Sequence, residues 1–228
     1  MNSFQPSLPG LARVRIAPFL TLCLLVLSAV TAQAQDATAL LTKLSNKAKT
    51  YSTIEATFKS TLIDSRNNLR VEQRGTLFLK GKRYQIDLGD FVVVSDGVTV
   101  WTYEKEMNEC YIENAADMEQ DGIDPAKLFT IWEDNFRSEL KGKVNIGGVN
   151  CTQVNLYPKG SDKRSFHTIQ LFVDEAKLQV VRVIVKGREG SDVQYDVTKF
   201  TPNVALADDR FKFNKAKYPG VKMVDNRL

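Results

Sequence analysis

Three side chains outside the first 34 residues are best equipped to attack, shuttle a proton or bind a metal: the single histidine, His167, and the cysteines Cys110 and Cys151. A nucleophile–base relay would need a hydroxyl or thiol beside the histidine and a carboxylate behind it. No G-x-S-x-G elbow occurs, and neither cysteine has a base at a recognisable spacing. One histidine and two separated cysteines also lack the ligand spacing of a zinc site. The acidic pairs Glu104/Glu106 and Asp208/Asp209 fall on a strand edge and in a turn, where water solvates them. Gly-Gly and Gly-x-x-Gly occur between strands rather than before a helix, so they do not form a phosphate-cradling loop. The residues therefore name no catalytic group, no metal and no cofactor, and the expectation is a protein that is not an enzyme. By strand alternation with Ile169 and Leu171, His167 is expected at a strand start, aimed at the rim of a cavity.

The elements around these residues are mostly strands. From Ile54 the period is two: Ile54, Ala56, Phe58, Ser60 and Leu62 alternate with Glu55, Thr57, Lys59 and Thr61. The turn Asp64–Asn68 leads into Leu69–Lys80, where Leu69, Val71, Leu77 and Leu79 share a face. Tyr84, Ile86 and Leu88, then Phe91 and Val93, continue the alternation, and Ser95-Asp96-Gly97 turns the chain into Val98–Tyr103. After a strand ending near Ile112 and a polar, acidic stretch, Asp124-Pro125 is the N-cap and first position of an expected helix. It carries Leu128, Phe129, Ile131, Trp132 and Phe136. The strands then resume: 143–146, 149–157, 166–173, 178–186 and 191–200. A first helix is expected from Asp36 to about Tyr51, with Ala37, Leu40, Leu41, Leu44 and Ala48 on one face.

About eleven successive strands without intervening helices cannot stay flat; their twist curls them. The fold class expected is mainly β with α: an incomplete, half-open antiparallel β-barrel of about eleven strands, with helices plugging its mouth. Between the inner face and the helices lies an apolar space. Candidate lining residues are Ile54, Phe58, Leu62, Leu77, Leu79, Tyr84, Ile86, Phe91, Val93, Val100, Ile169 and Leu171. Leu128, Phe129, Ile131, Trp132 and Phe136 form the lid helix. Ordinary core explains the same pattern, because cores and cavity linings use the same residue types.

Arg13 and Arg15, the apolar run from Ile16 to Val30 and the Ala32-Gln33-Ala34 site make a secretory signal peptide, with cleavage expected after Ala34. The run of about 15 residues is short of the roughly 20 that span a bilayer. Cys23 follows Leu22, not the small residue that a lipidated cysteine needs. Residues 35–228 then form a single domain. Without the leader arginines the formal charge falls from +4 to about +2, with basic residues scattered, which excludes nucleic-acid binding. Cys110 and Cys151 are expected two strands apart, roughly 10 Å, beyond the ~7 Å reach of a disulfide.

Two stretches carry a resemblance. Gly75-x-Leu77-x-Leu79 precedes Tyr84 and Val94-Ser95-Asp96-Gly97-x-Thr99-Val100-Trp101-x-Tyr103. Near the C-terminus stand Phe211-x-Phe213, Pro219-Gly220-Val221 and Val224-Asp225-x-Arg227. In order and spacing, residues 36–227 resemble the LolA family of periplasmic outer-membrane lipoprotein carriers. The resemblance implies a periplasmic chaperone, a monomer, that binds the acyl chains of lipoproteins in its cavity. It implies as partners acylated lipoproteins, an inner-membrane ABC transporter that releases them and an outer-membrane acceptor. A LolA-like binder of another lipid or glycolipid, or a lipid-responsive envelope sensor, would share the same motifs. The family's Arg-Pro pair, whose arginine holds the lid shut, is replaced here by Lys80-Gly81-Lys82-Arg83-Tyr84. Closure by packing of Leu128, Phe129 and Trp132 alone is the resulting expectation, with Trp101 either packed outside against the first helix or in contact with lipid.

Overall fold

The computed structural model of the chain describes residues 37–117, 125–133, 135–159 and 164–227. The first helix, α1 (37–48), buries Ala37, Leu40, Leu41 and Leu44 and leaves Thr38, Thr42 and Lys43 exposed, the division its apolar spacing predicts. Its expected cap, Asp36, lies outside the described residues, as does the leader. Strands β1 (Ile54–Asp64) and β2 (Leu69–Lys80) form a long hairpin. In its turn, Asp64 Oδ1 accepts from the backbone N–H groups of Arg66 and Asn67, and Asn68 adopts φ 51°. Then follow β3 (Arg83–Asp87), β4 (Phe91–Ser95), β5 (Thr99–Glu104) and β6 (Glu109–Asn114). The second run comprises β7 (Phe136–Ile146), β8 (Val149–Pro158), β9 (Phe166–Asp174), β10 (Gln179–Gly187) and β11 (Ser191–Pro202).

One sheet holds them all, in the order β12-β6-β5-β4-β3-β2-β1-β11-β10-β9-β8-β7, with β12 being Lys222–Asp225. The first and second runs meet where β1 pairs antiparallel with β11, from Ile54 opposite Pro202 to Asp64 opposite Ser191. The two outer strands, β12 and β7, do not pair with each other, so the sheet is open rather than closed. This is the half-open antiparallel sheet the alternation predicts. The extra strand, β12, runs parallel to β6 and lies in the C-terminal motif, too short for periodicity to mark.

The sheet's inner face is covered in two parts. Over β7–β10, α1 packs with Val154, Leu156, Ile169, Leu171 and Val173 into one cluster. Over β1–β4, a second cluster forms on Ile54, Ala56, Leu77, Leu79 and Tyr84. The back of the sheet has its own cluster: Val92, Val94, Tyr103 and Cys110 pack beneath Val221, Phe213 and Tyr218 of the C-terminal segment. Because strand side chains alternate, Val93 faces inward while Val92 and Val94 face this segment. Trp101 joins the outer cluster, against the C-terminal segment and not against α1.

The expected lid helix from Asp124 to Phe136 is replaced by two short 3₁₀ turns, Pro125–Lys127 and Ile131–Glu133, and Phe136 is the first residue of β7. Asp124, the expected cap, lies outside the described residues. The apolar residues serve two destinations: Leu128 and Phe129 pack on the β1–β3 cluster, Ile131 and Trp132 on the α1 cluster. A continuous helix would bring Phe129 and Trp132 round to one face, so tertiary packing overrides the local pattern. Cys110 and Cys151 are buried and free. They sit on β6 and β8, each one strand in from an end of the sheet and nine places apart in its order rather than two. A register shift in the β9–β10 pairing between Thr168 and Phe166 breaks the alternation assumed for His167. The imidazole is exposed, with Nδ1 2.8 Å from Thr168 Oγ1. Among the described residues, no helix is long and apolar enough to cross a membrane.

Candidate functional site

The floor beneath the lid is a ladder of facing residues. Ile54 lies opposite Leu79, and Leu79 opposite Tyr84; Ala56 lies opposite Leu77, then come Ile86 and Val93 in register. Cross-strand alignment puts all of them on one face. Ile54, Leu77, Leu79 and Tyr84 are buried, with Phe58, Ile86 and Val93 partly so. Ala126, Leu128 and Phe129 of the lid pack down on this floor. The Phe129 ring meets Phe200 edge-on, with centroids 5.6 Å apart, and Phe200 in turn lies 5.7 Å from the Tyr51 ring.

The remaining candidates lie elsewhere. Ile169 and Leu171, 1% and 2% exposed, are sealed under α1 in the other cluster. Val100 is fully buried and in register with Ser95 and Tyr84. Leu62 pairs with Val71 towards the turn of the long hairpin, beyond the lid, where Val71 is 39% and Leu69 48% exposed. Phe91, at the start of β4, is 36% exposed. The structure thus gathers seven of the candidates (Ile54, Phe58, Leu77, Leu79, Tyr84, Ile86 and Val93) into the cluster beneath the lid.

Among the described residues, two spaces lie between cover and sheet. A groove of about 250 Å³ opens between the lid and the 48–54 segment, walled by Ile54, Leu79, Ala126 and Phe129, with Lys49, Ser52 and Thr53 at its polar side. A void of about 20 Å³ lies beneath α1, against Leu44, Trp132, Leu178 and Val180. Small-molecule sites typically measure roughly 300–1,000 Å³, so neither space alone reaches that range.

The lid is fastened by polar contacts as well as by packing. Trp132 Nε1–H donates to Ser45 Oγ at 2.7 Å and to Leu41 O at 3.1 Å. Glu133 Oε1 lies 2.7 Å from Lys49 Nζ, and this hydrogen bond holds the Glu133 carboxyl below the usual range. Ser45 and Lys49 stand four apart at the end of α1, on the face next to the lid. Their spacing was the one available signal, but nothing in the sequence pairs them with residues 132 and 133. Nothing local marks Phe200 or Tyr51 either: Phe200 reads as an ordinary strand-end aromatic and Tyr51 as the residue closing the first helix.

Burial pushes the Cys110 thiol up to about 11 and raises that of Cys151. Among the described residues, no group of three or more His, Cys, Asp or Glu is placed to hold a metal ion.

A family profile described as "Outer membrane lipoprotein carrier protein LolA" matches residues 49–214. The chain belongs to the LolA family. Its members are carriers or binding proteins rather than enzymes. An uncharacterized protein of Methanocaldococcus jannaschii is 26% identical over 139 residues, covering 60% of this chain. The match spans only 39% of that relative's length. Among solved structures, an uncharacterized conserved protein from Thermus thermophilus superposes with a TM-score of 0.52 at 13% identity, covering 85% of this chain and 99% of that one. A LolA superfamily protein from Nitrosomonas europaea gives a TM-score of 0.45 at 9% identity, covering 78% and 97%. The Thermus likeness is one of fold alone.

In this LolA chain the cations of the β2–β3 loop face the C-terminal segment. Lys80 Nζ lies 2.7 Å and Arg83 Nη1 3.0 Å from Asp208 Oδ1, and Lys80 also donates to Leu206 O. Arg83 further stacks 5.4 Å from the Phe211 ring centroid. Both cations clamp the C-terminal segment, while the lid is held from α1.

Proposed function

We propose that this protein carries acylated lipoproteins through the periplasm, sheltering their acyl chains between the inner face of the sheet and its cover. The observation that carries this reading is the apolar ladder from Ile54 to Val93, covered by a lid of short 3₁₀ turns rather than by a strand or long helix. Membership of a family described by lipoprotein carriage supports it. Burying one chain of ~14 methylenes at ~0.8 kcal/mol each is worth roughly 10 kcal/mol, which no exposed surface supplies. Lid residues that fill the floor when it is empty compete with that chain and keep its binding reversible. In this reading the mature chain starts after Ala34 and works as a monomer. It receives cargo from an inner-membrane ABC transporter and yields it to an outer-membrane acceptor.

A second reading, binding of another lipid or glycolipid, is favoured by the Lys80–Arg83 loop, whose cations hold Asp208 instead of the lid. Purification of the protein from periplasm, with mass spectrometry of what accompanies it, separates the two. Triacylated lipoproteins are expected. Phospholipid alone, or no ligand even when the transporter is co-expressed, would sink the carrier reading.

A further inference from the structure

The groove and the void beneath α1 share three walls: Ala48, Tyr51 and Phe129. Ala48 and Tyr51 belong to α1's end and the segment after it, whereas Phe129 stands on the lid. We infer that the groove is the port through which a single aliphatic chain reaches the space beneath α1, and that Phe129 is its gate. The inference rests on the acyl-carrier reading for its ligand class and adds the route and the residue that controls it.

The chemistry of the walls selects the occupant. Three polar residues at the groove's side already have partners: Ser52 N–H and Oγ–H donate to Asn203 Oδ1, Thr53 Oγ1 donates to Val204 O at 2.6 Å, and Lys49 pairs with Glu133. No headgroup is needed to satisfy them. Most of the surface left open is apolar, with Ile54, Leu79, Ala126 and Phe129 in the walls, and an alkyl chain covers it without leaving Lys49, Ser52 or Thr53 unpaired. About 250 Å³, with the small void and the space a displaced phenyl ring vacates, reaches the lower end of the range for ligand sites, enough for one chain rather than several.

The mechanics are local. Phe129 sits between the two 3₁₀ turns and packs edge-on against Phe200. Trp132 and Glu133 hold the lid's far end to α1. Rotation of the Phe129 side chain therefore joins the two spaces while those anchors stay made. The opposite approach, under α1 itself, is closed by Leu40, Leu41 and Leu44 packed on β8–β10.

The test is stopped-flow association of 11-(dansylamino)undecanoic acid with the mature wild type, Phe129→Ala, Phe129→Trp and Thr130→Trp, each checked for folding by circular dichroism. Phe129→Ala should speed association by about threefold to tenfold, the range set by one aromatic pair. Phe129→Trp should slow it by a similar factor. Thr130→Trp fills the groove from its side without altering the gate, and should also slow association, so the port stands or falls even where the alanine variant misfolds. Wild-type binding at a rate that none of the variants changes overturns the port and leaves the carrier reading intact. No binding by any protein, of this probe or of a synthetic triacylated lipopeptide, overturns both.

Discussion

Trp132 donates its indole N–H to Ser45 Oγ at 2.7 Å, joining a lid turn to the last turn of α1 across 87 residues of sequence. Both side chains are buried. Ser45→Ala is expected to cost about 0.5–1.5 kcal/mol in thermal or denaturant unfolding, the net worth of one such bond. Trp132→Phe should cost more, because a buried donor and part of the ring are lost together. Hydrogen exchange at residues 125–133 should quicken in both; unchanged protection there would show that packing alone closes the lid.

The neighbouring pair, Lys49 with Glu133, is more exposed, with side chains 58% and 41% accessible. Glu133→Gln is therefore expected to change stability by less than about 1 kcal/mol. The sign with pH follows from the lowered carboxyl: the folded state holds Glu133 ionised more firmly than the unfolded chain does. Its contribution is complete above the ordinary carboxylate pKa of about 4.3 and is lost as pH falls through the lower folded value. Lid protection factors, corrected for the intrinsic exchange rate at each pH, should fall on acidification in wild type more than in Glu133→Gln, and added salt should narrow the gap. Identical pH profiles would remove this pair from lid closure.

Gly75 has no room for a side chain. A Cβ there would lie 2.4 Å from Phe58 Cζ, 2.7 Å from Cε2 and 3.0 Å from Leu88 Cδ2, because the Phe58 ring lies across the opposite strand position. Gly75→Ala should destabilise by about 1–3 kcal/mol through overpacking. Pairing it with Phe58→Leu should recover part of that loss in a double-mutant cycle. Strict additivity of the two substitutions would count against this contact.

The Asp208 clamp makes a prediction opposite to a family latch. Replacing Lys80 and Arg83 with alanine should raise exchange in residues 206–213 and leave residues 125–133 protected. Faster lid exchange would instead return these cations to a latching role.

Much of the fold follows from local pattern. The alternation from Ile54 to Leu62 and from Leu77 to Val93 sets which residues face inward, because a strand's side-chain period is two and one buried face fixes its register. Where a register shift intervenes, as beside His167, the same rule fails. At the lid, apolar spacing resembles a helix, yet Phe129 and Trp132 are drawn to different clusters and the helix does not form. The parallel strand β12 leaves no periodic trace in only four residues.

What the sequence by itself determined is the open β-sheet with a greasy inner face and the family to which it belongs. Strand alternation and short turn motifs are local properties, written in neighbouring residues. Only the tertiary structure decided how the candidates divide, with Ile169 and Leu171 under α1 and Ile54, Leu79 and Tyr84 under the lid. It alone decided that Ser45 and Lys49 hold the lid, that Lys80 and Arg83 hold the C-terminal segment, and that Phe129 stands between two spaces. Each of these is a contact between residues far apart in the chain, and its partner is set by where curvature brings the elements together, which no local pattern encodes.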